Sequence, residues 1–273
     1  MRYEARSPRA ELEPFVKCLW RLRGAPSEIE PQPIVPDGCF ELIVHLGEPF
    51  VEQGVYAPEG RGRAGWPVKQ HRALLAATLT RTVVVAASGD VDVVGVRFRP
   101  GRAYPFLSAA PSEVVDIVAP ATDVCTSDLA AWTKRLEPAS TELVFASAEE
   151  ALLARLRRVG SDPRFDRIAT TLVAADGAPV ASLAEAAGIS QRQFERWFKS
   201  RAGVSAKVLQ RVVRFHRVAS RLLEGSPDLA GLALDAGFFD QAHMSHDFRA
   251  LADMSPSRYP TQAGALDRLF AES

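Results

Sequence analysis

Residues 183–199 read LAEAAGISQRQFERWFK, and this stretch decides the fold of the C-terminal third of the chain. Two S-x-x-E/Q patterns lie in or beside it, Ser182 with Glu185 and Ser190 with Gln193. In such a capping box the serine side chain and the backbone satisfy each other's unpaired groups at a helix start. Only Gly188 and Ile189 separate the first predicted helix from the start of the second at Ser190. The sequence therefore predicts two short helices joined by a tight turn, a helix-turn-helix unit.

The same pattern returns further along the chain. The pattern Leu-Ala-x-x-Ala-Gly that starts at Leu183 recurs from Leu232, 49 residues later. Phe198-Lys199 recurs as Phe248-Arg249 and Ser205 as Ser255, each 50 residues later. Two copies are too few for a solenoid. They predict a pair of helix-turn-helix units connected by one helix over about residues 205–223.

The second helix of each unit is predicted to present a polar face to DNA. In the first unit the aromatic side chains should be buried, which leaves Arg192, Glu195, Arg196 and Lys199 aligned on the other side. Arginine can grip guanine with two hydrogen bonds, and glutamate can accept one from cytosine, so these residues are predicted base readers with Lys199 on phosphate. The second unit offers Gln241, Ala242, Ser245 and His246 to bases, with Arg249 toward phosphate. The alternative is an ordinary solvated face.

Charge is distributed unevenly along the chain. The whole sequence has 33 basic and 33 acidic residues, but residues 190–221 contain nine basic residues against Glu195 alone. Residues 222–256 contain six acidic residues against Arg249 alone. The basic block predicts a nucleic-acid partner, with phosphate contacts from Ser190, Lys207, Arg211 and Arg214. The alternative is that these cations pair with acidic groups of the protein itself.

Length and patterning predict an α+β protein of two domains. The chain has 273 residues, and its first part alternates like short strands, as in residues 39–46. We expect a β-rich effector or dimerisation domain over residues 1–126, a helical linker over 127–162, an all-α tandem helix-turn-helix domain over 163–262, and a tail over 263–273. The three cysteines are widely spaced and no apolar run could span a bilayer, so the expected compartment is the cytoplasm, with no membrane partner.

With these motifs, the C-terminal part resembles the DNA-binding domain of the AraC/XylS family of bacterial transcription regulators. The motifs are the 183–190 stretch, Gly203-Val204-Ser205, Ala236-Gly237-Phe238-Phe239-Asp240-Gln241 and Ser255-Pro256-x-x-Tyr259. The resemblance implies base contacts at the seven positions named above. His246 stands where many members have arginine, and Asp253 where the closing loop usually has glycine.

The N-terminal half resembles the sensor-like domain of one branch of that family. Pro36-Asp37-Gly38 and the segment 95–101 (GVRFRPG) are the recurring motifs. They imply a β-rich domain, with a cupin-like fold as one form it could take. The His-x-His motif of metal-binding cupins is missing, so His45 and His71 are expected to be structural and no metal or cofactor is predicted.

A small-molecule effector is the open question for this half. The side chains that could line its pocket are Trp20, Phe40, Trp66, Arg97 and Tyr104, although core packing explains the aromatic ones equally well. The predicted partners are double-stranded DNA, an effector, a second copy of the chain and, for an activator, RNA polymerase. Two alternatives remain open, a regulator that docks mainly on proteins and an enzyme domain fused to a DNA-binding module. The latter would need an activated cysteine, which the local sequence does not show.

Overall fold

The N-terminal part is built from antiparallel strands, as the sequence predicts. The computed structural model describes residues 1–28, 30–55, 67–174, 178–225 and 228–272. Its strands are β1 (Arg2–Arg6), β2 (Val16–Gly24), β3 (Gln32–Ile34), β4 (Glu41–His45), β5 (Val51–Val55), β6 (Val68–Lys69), β7 (Ala73–Ala76), β8 (Val83–Ala86), β9 (Val91–Phe98) and β10 (Val118–Pro120).

These strands form two sheets. The larger has the order β1-β2-β9-β4-β7-β10 and the smaller β3-β8-β5-β6, with antiparallel neighbours throughout. Phe40, Leu42 and Val44 alternate into the core, which confirms the strand-like alternation predicted for residues 39–46. Opposite Trp20 in the β2–β9 register stands Gly95, where a Cβ atom would lie 2.1 Å from the indole ring. Glycine is required there because the indole occupies the space of a side chain.

The predicted helical linker belongs to the N-terminal core instead. Three helices follow the sheets, α1 (Ala121–Val124), α2 (Ser127–Arg135) and α3 (Thr141–Val159). Leu129, Trp132 and Phe145 are buried in the same cluster as Phe40 and Phe98 of the β-rich part. The expectation of a linker over 127–162 is therefore corrected, because the apolar stripes of α2 and α3 are covered by the sheet. The chain leaves this core at Gly160, whose φ of 67° ends α3.

The C-terminal part is all helical. Its helices are α4 (Pro163–Ala174), α5 (Val180–Ala186), α6 (Gln191–Ala202), α7 (Ala206–Leu223), α8 (Leu229–Asp235), α9 (Gln241–Ala252), α10 (Tyr259–Gln262) and α11 (Ala265–Glu272). Helix α7, the joining helix, contributes Leu209 and Val213 to the core of the first unit, and Val212 and Phe215 to that of the second. One helix thus serves as the common support of both units.

The two turns repeat in structure as they do in sequence. Gly188 and Gly237 both have positive φ, 66° and 78°. Ile189 N donates to Ala184 O at 3.2 Å, and the equivalent Phe238 N donates to Ala233 O at 2.8 Å. Such bonds close the C-terminus of a helix when the residue just before the donor has a left-handed backbone conformation. Glycine adopts this conformation without strain. The predicted pair of helix-turn-helix units is present.

Helix caps agree with the sequence at one of two predicted boxes. Ser190 accepts from Gln193 N, and the Gln193 side chain returns to the Ser190 backbone, as predicted. The box at Ser182 is wrong, because α5 already starts at Val180 after Pro179 and Ser182 lies inside the helix. Asp253 ends α9 with a φ of 57°, which explains why this position usually takes glycine.

The predicted C-terminal tail forms a helix that packs back on the β-rich part. Leu266 of α11 is buried beside Trp20 and Leu22, and its backbone N donates to Gln32 Oε1 at 3.2 Å. Val35 N donates to Asp267 Oδ1 at 3.4 Å. The expectation of a separate tail over 263–273 is corrected, since burial of apolar surface fixes this segment to the N-terminal part.

Candidate nucleic-acid interface

Helix α6 separates its aromatic and charged residues as predicted. Phe194 and Phe198 are fully buried. Phe198 packs against the ring of Phe165 from α4, and Phe194 stacks on Phe198. The predicted base and phosphate contacts on this helix are all exposed, namely Arg192, Glu195, Arg196 and Lys199. A helix held by a buried aromatic face with its polar face open can enter a major groove.

Arg164 supports this helix and was missed by the sequence analysis. Its guanidinium lies 4.8 Å from the ring centre of Trp197 and donates to Ala187 O at 3.3 Å in the turn. The contact fixes the half-buried indole against α4 by a cation–π interaction. The sequence signal is weak, because Arg164 precedes Trp197 by 33 residues and no local pattern joins them.

Helix α9 repeats the arrangement with less charge. Met244, Phe248 and Leu251 are buried in the core of the second unit. The side chains turned outward are Gln241, Ala242, His246 and Arg249, with Ser245 half-buried beside them. Asp240 caps the helix by accepting from His243 N at 2.7 Å. The predicted base contacts of the second unit therefore share one accessible face.

The joining helix does not offer all of its cations to solvent. Lys207 is exposed, as a phosphate contact requires. Arg211 Nε, however, donates to Asp247 Oδ1 at 2.8 Å. Arg214 donates to Gly237 O at 3.2 Å and lies over the ring of Phe238 at 5.0 Å. Arg211 and Arg214 are thus engaged within the second unit, and their contact with phosphate stays a prediction.

The predicted effector side chains that the structure describes do not line one pocket. Trp20 and Phe40 are buried in two different clusters, and Trp66 lies outside the described residues. Tyr104 accepts from Asp162 N at 2.7 Å at the junction of the two parts. Of these described residues, Arg97 alone lines a small cavity beside Asp37 and Glu41. Among the described residues, Trp20 and Phe40 are therefore core side chains, and a pocket shared by all five residues stays a prediction.

Arg97 belongs to a buried ionic group between the two parts. It donates to Glu41 Oε1 at 2.7 Å and also binds Asp37. Burial opposes the charge of Asp37, yet the neighbouring Arg97 guanidinium holds its pKa below the usual range. Burial raises the pKa of Glu41. A cavity of about 50 Å³ adjoins this group and is closed from the other side by His216, Tyr259 and Asp267.

The two motifs named for the N-terminal half, Pro36-Asp37-Gly38 and residues 95–101, both contact the helical part. A Cβ atom on Gly38 would lie 3.0 Å from Leu209 Cδ1 of α7, and one on Gly101 would lie 3.5 Å from Leu209 Cδ2. Both glycines have positive φ, 82° and 72°. The turns that follow Pro36 and Pro100 thus receive the same leucine of the joining helix, a role that the sequence could not assign.

Polar contacts add to this junction. Arg102 pairs with Asp166 of α4, and Tyr104 Oη donates to the same carboxylate at 3.1 Å. Thr82 Oγ1 donates to Leu251 O of α9 at 3.0 Å in a buried position. Both helix-turn-helix units therefore contact the β-rich part.

The cysteines lack the environment of a nucleophile. All three are buried, and burial raises the pKa of Cys18 to about 11 and that of Cys125 to about 12. The pKa of Cys39 is also raised by burial. A thiol at neutral pH in such surroundings stays protonated. Within the described ranges, no group of three or more His, Cys, Asp or Glu side chains could hold a metal ion, and no helix is both long and apolar enough to cross a membrane.

Comparisons with known proteins agree with the division into two parts. Residues 4–120 match a family described as a domain of unknown function (DUF6597), and residues 183–262 match a helix-turn-helix domain. No curated protein matches the chain significantly.

Solved structures of ToxT from Vibrio cholerae are similar in arrangement. An apo form has 10% identity and a TM-score of 0.48, covering 89% of this chain and 97% of that one. A second crystal form has 10% identity and a TM-score of 0.48, covering 96% and 99%. These values are too low to transfer any property. The conclusion rests on the matched domain: residues 183–262 form an AraC-type helix-turn-helix domain, and the chain is a DNA-binding transcription regulator.

Proposed function

We propose that the protein binds a bipartite duplex site with α6 and α9 in successive stretches of the major groove. The observation that carries this proposal is the position of α7, which packs into both cores and so fixes the two recognition helices relative to each other. At about 1.5 Å per residue, a helix of 18 residues is about 27 Å long. This length suits two helices that enter the groove about one turn of DNA, roughly 34 Å, apart.

The two units contribute differently in this proposal. Arg192, Glu195 and Arg196 read bases with charged groups, and Lys199 and Lys207 supply phosphate contacts. Gln241, Ala242, Ser245 and His246 form the reading face of the second unit, with Arg249 toward phosphate. The Ser190 hydroxyl caps α6 by accepting from Gln193 N, and in this proposal Ser190 and the N-terminus of α6 lie against a phosphate of the DNA.

The β-rich part modulates DNA binding through its contacts to α7. Gly38 and Gly101 hold Leu209, so a shift of their turns moves the helix that spaces the two recognition helices. A small-molecule effector or a second copy of the chain would act through these turns, and RNA polymerase is the further partner of an activator. The protein works on chromosomal DNA in the cytoplasm and acts by binding rather than by catalysis.

Footprinting on a site selected from random duplexes tests the proposal. Two protected blocks one helical turn apart, both lost when Arg196 and Gln241 are replaced by alanine, are the expected result. Uniform weak protection without sequence preference would instead support a regulator that docks mainly on proteins. A single protected block would show that the acidic second unit does not engage DNA.

A further inference from the structure

A large apolar side chain stands in solvent at the start of the second recognition helix. Phe239 is 86% exposed, the highest value for any large hydrophobic residue in the described part of the chain. It immediately precedes Asp240, the N-cap of α9. Single exposed apolar residues are common on protein surfaces, but a nearly free phenyl ring at a binding edge is informative.

The fold does not need this ring. Its neighbour Phe238 fills the core of the second unit, where the guanidinium of Arg214 lies over it. The Phe239 backbone N contacts His243 Nδ1 at 3.5 Å, which shapes the turn, but this contact does not involve the side chain. After the turn at Gly237, whose φ is 78°, the first phenylalanine is thus buried and the second is exposed.

The chemistry around Phe239 is poor in charge. Ala242 is exposed in the first turn of the same helix. The adjacent carboxylate of Asp240 is engaged in capping the helix, where it accepts from His243 N at 2.7 Å, and that of Asp247 is buried and bound to Arg211. In the first unit, by contrast, Arg192 and Arg196 are exposed at corresponding depths of the helix. The start of the second recognition helix therefore presents fewer cationic side chains than that of the first.

From this position we propose that Phe239 contacts the C5-methyl group of a thymine, so that the second unit recognises this base by apolar contact. The N-terminal residues of a recognition helix are those that reach base edges. In the major groove the thymine methyl is the apolar feature of the base pairs, and alanine and phenylalanine are suited to it. This inference rests on the proposed function, because it requires α9 to lie in the groove.

Replacing single thymines with deoxyuridine removes only the methyl group and gives a direct test. On the selected site, the wild-type protein should lose about threefold to tenfold in affinity at one thymine of the second half-site. Phe239→Ala should bind the thymine site that much more weakly and no longer distinguish it from the deoxyuridine site. Phe239→Leu should restore part of the difference.

Leu234→Ala is the matched control. Leu234 is also apolar and 64% exposed in the second unit, but it lies on α8, so this variant should keep full discrimination between thymine and deoxyuridine. The unfolding temperature of each variant should equal that of the wild-type protein, since neither the Phe239 nor the Leu234 side chain is buried.

Three results would overturn the inference. One is an equal affinity loss of Phe239→Ala on thymine and deoxyuridine duplexes. Another is wild-type affinity of that variant together with lost transcription activation, which would assign the ring to a protein partner. The third is insensitivity of every second-half thymine to deoxyuridine. If the wild-type protein showed no sequence preference at all, the proposed function itself would fail, a result distinct from these three.

Discussion

Arg211 of the joining helix and Asp247 of the second recognition helix form an ion pair, with Arg211 Nε 2.8 Å from Asp247 Oδ1. The carboxylate is buried, and His246 Nδ1 lies 3.6 Å from the same oxygen. The pair therefore ties α9 to the joining helix and supports the orientation that its buried residues Met244, Phe248 and Leu251 give it. An arginine that belongs to a basic face in the sequence thus acts as a structural support of the reading face.

We expect Arg211→Ala to destabilise the protein by about 1–2 kcal/mol, because a buried carboxylate loses its partner while the half-exposed arginine limits the effect by solvent screening. Chemical denaturation monitored by circular dichroism measures this change. Lys207→Ala is the matched control on the same helix and should leave stability unchanged. Equal stability of both variants would contradict the support role of Arg211.

Arg196→Ala should reduce specific binding more than non-specific binding. Loss of a two-bond contact to a base costs about 1–3 kcal/mol, or roughly fivefold to 150-fold in affinity, at one base pair. Titrations on the selected site and on a scrambled duplex at one salt concentration measure both quantities. Arg221→Ala, an exposed arginine near the end of α7, should weaken both equally or not at all. An equal loss on both duplexes for Arg196→Ala would argue against base readout.

The salt dependence of binding should depend mainly on the first unit. Each phosphate contact contributes about 0.9 to the magnitude of the slope of log affinity against log salt. Lys199→Ala and Lys207→Ala should each reduce that magnitude by about this amount, whereas Ser245→Ala and His246→Ala should barely change it at pH 8. If the second-unit variants lost the greater part of the slope, the net charge of the segments would be a poor guide to phosphate contact.

Docking of the C-terminal helix should weaken as pH rises. Burial raises the pKa of Asp267 to about 7, opposed in part by hydrogen bonds from Val35 N and the Tyr259 hydroxyl. Asp37 raises this pKa and Arg97 lowers it. Because the docked carboxyl holds its proton more tightly than an exposed one, its contribution is complete below the exposed pKa of about 4 and is lost as pH rises through about 7.

Hydrogen exchange of the α11 amides can measure this effect. After correction for intrinsic rates, protection should fall by roughly tenfold between pH 6 and pH 8. In Asp267→Asn, which cannot ionise, protection should be the same at both pH values. A wild-type protein with unchanged protection across this range would show that Asp267 does not titrate with docking.

The boundary between the two parts can be tested with fragments. Residues 161–262 should fold alone, because their two cores take only a few side chains, such as Val35 and Tyr104, from the β-rich part. Residues 1–160 should also fold, whereas residues 1–126 should not, since they lack Trp132 and Phe145 of the N-terminal core. Circular dichroism and thermal unfolding report the outcome, and a cooperatively folded 1–126 fragment would restore the linker interpretation of α2 and α3.

The sequence by itself determined the two helix-turn-helix units and their reading faces. The turns at Gly188 and Gly237 and the cap at Ser190 are local features, since their hydrogen bonds join residues a few positions apart. The faces follow from helical periodicity, which places Phe194 and Phe198 inward and Arg192 and Arg196 outward whatever lies around them. The strand alternation at Phe40, Leu42 and Val44 was predictable for the same reason.

The tertiary structure decided which partner each face has. Periodicity marks α2, α3 and α11 as amphipathic, but it does not say that the β-rich part covers them. It groups Lys207, Arg211 and Arg214 on one side of α7. Two of these cations bind groups of the second unit, Arg211 the carboxylate of Asp247 and Arg214 the carbonyl of Gly237, which lie further along the sequence. The packing of Gly38 and Gly101 against Leu209 likewise joins residues that lie more than a hundred positions apart in the sequence. Such contacts are fixed by the packing of separate segments, because only the folded chain brings them within reach of one another.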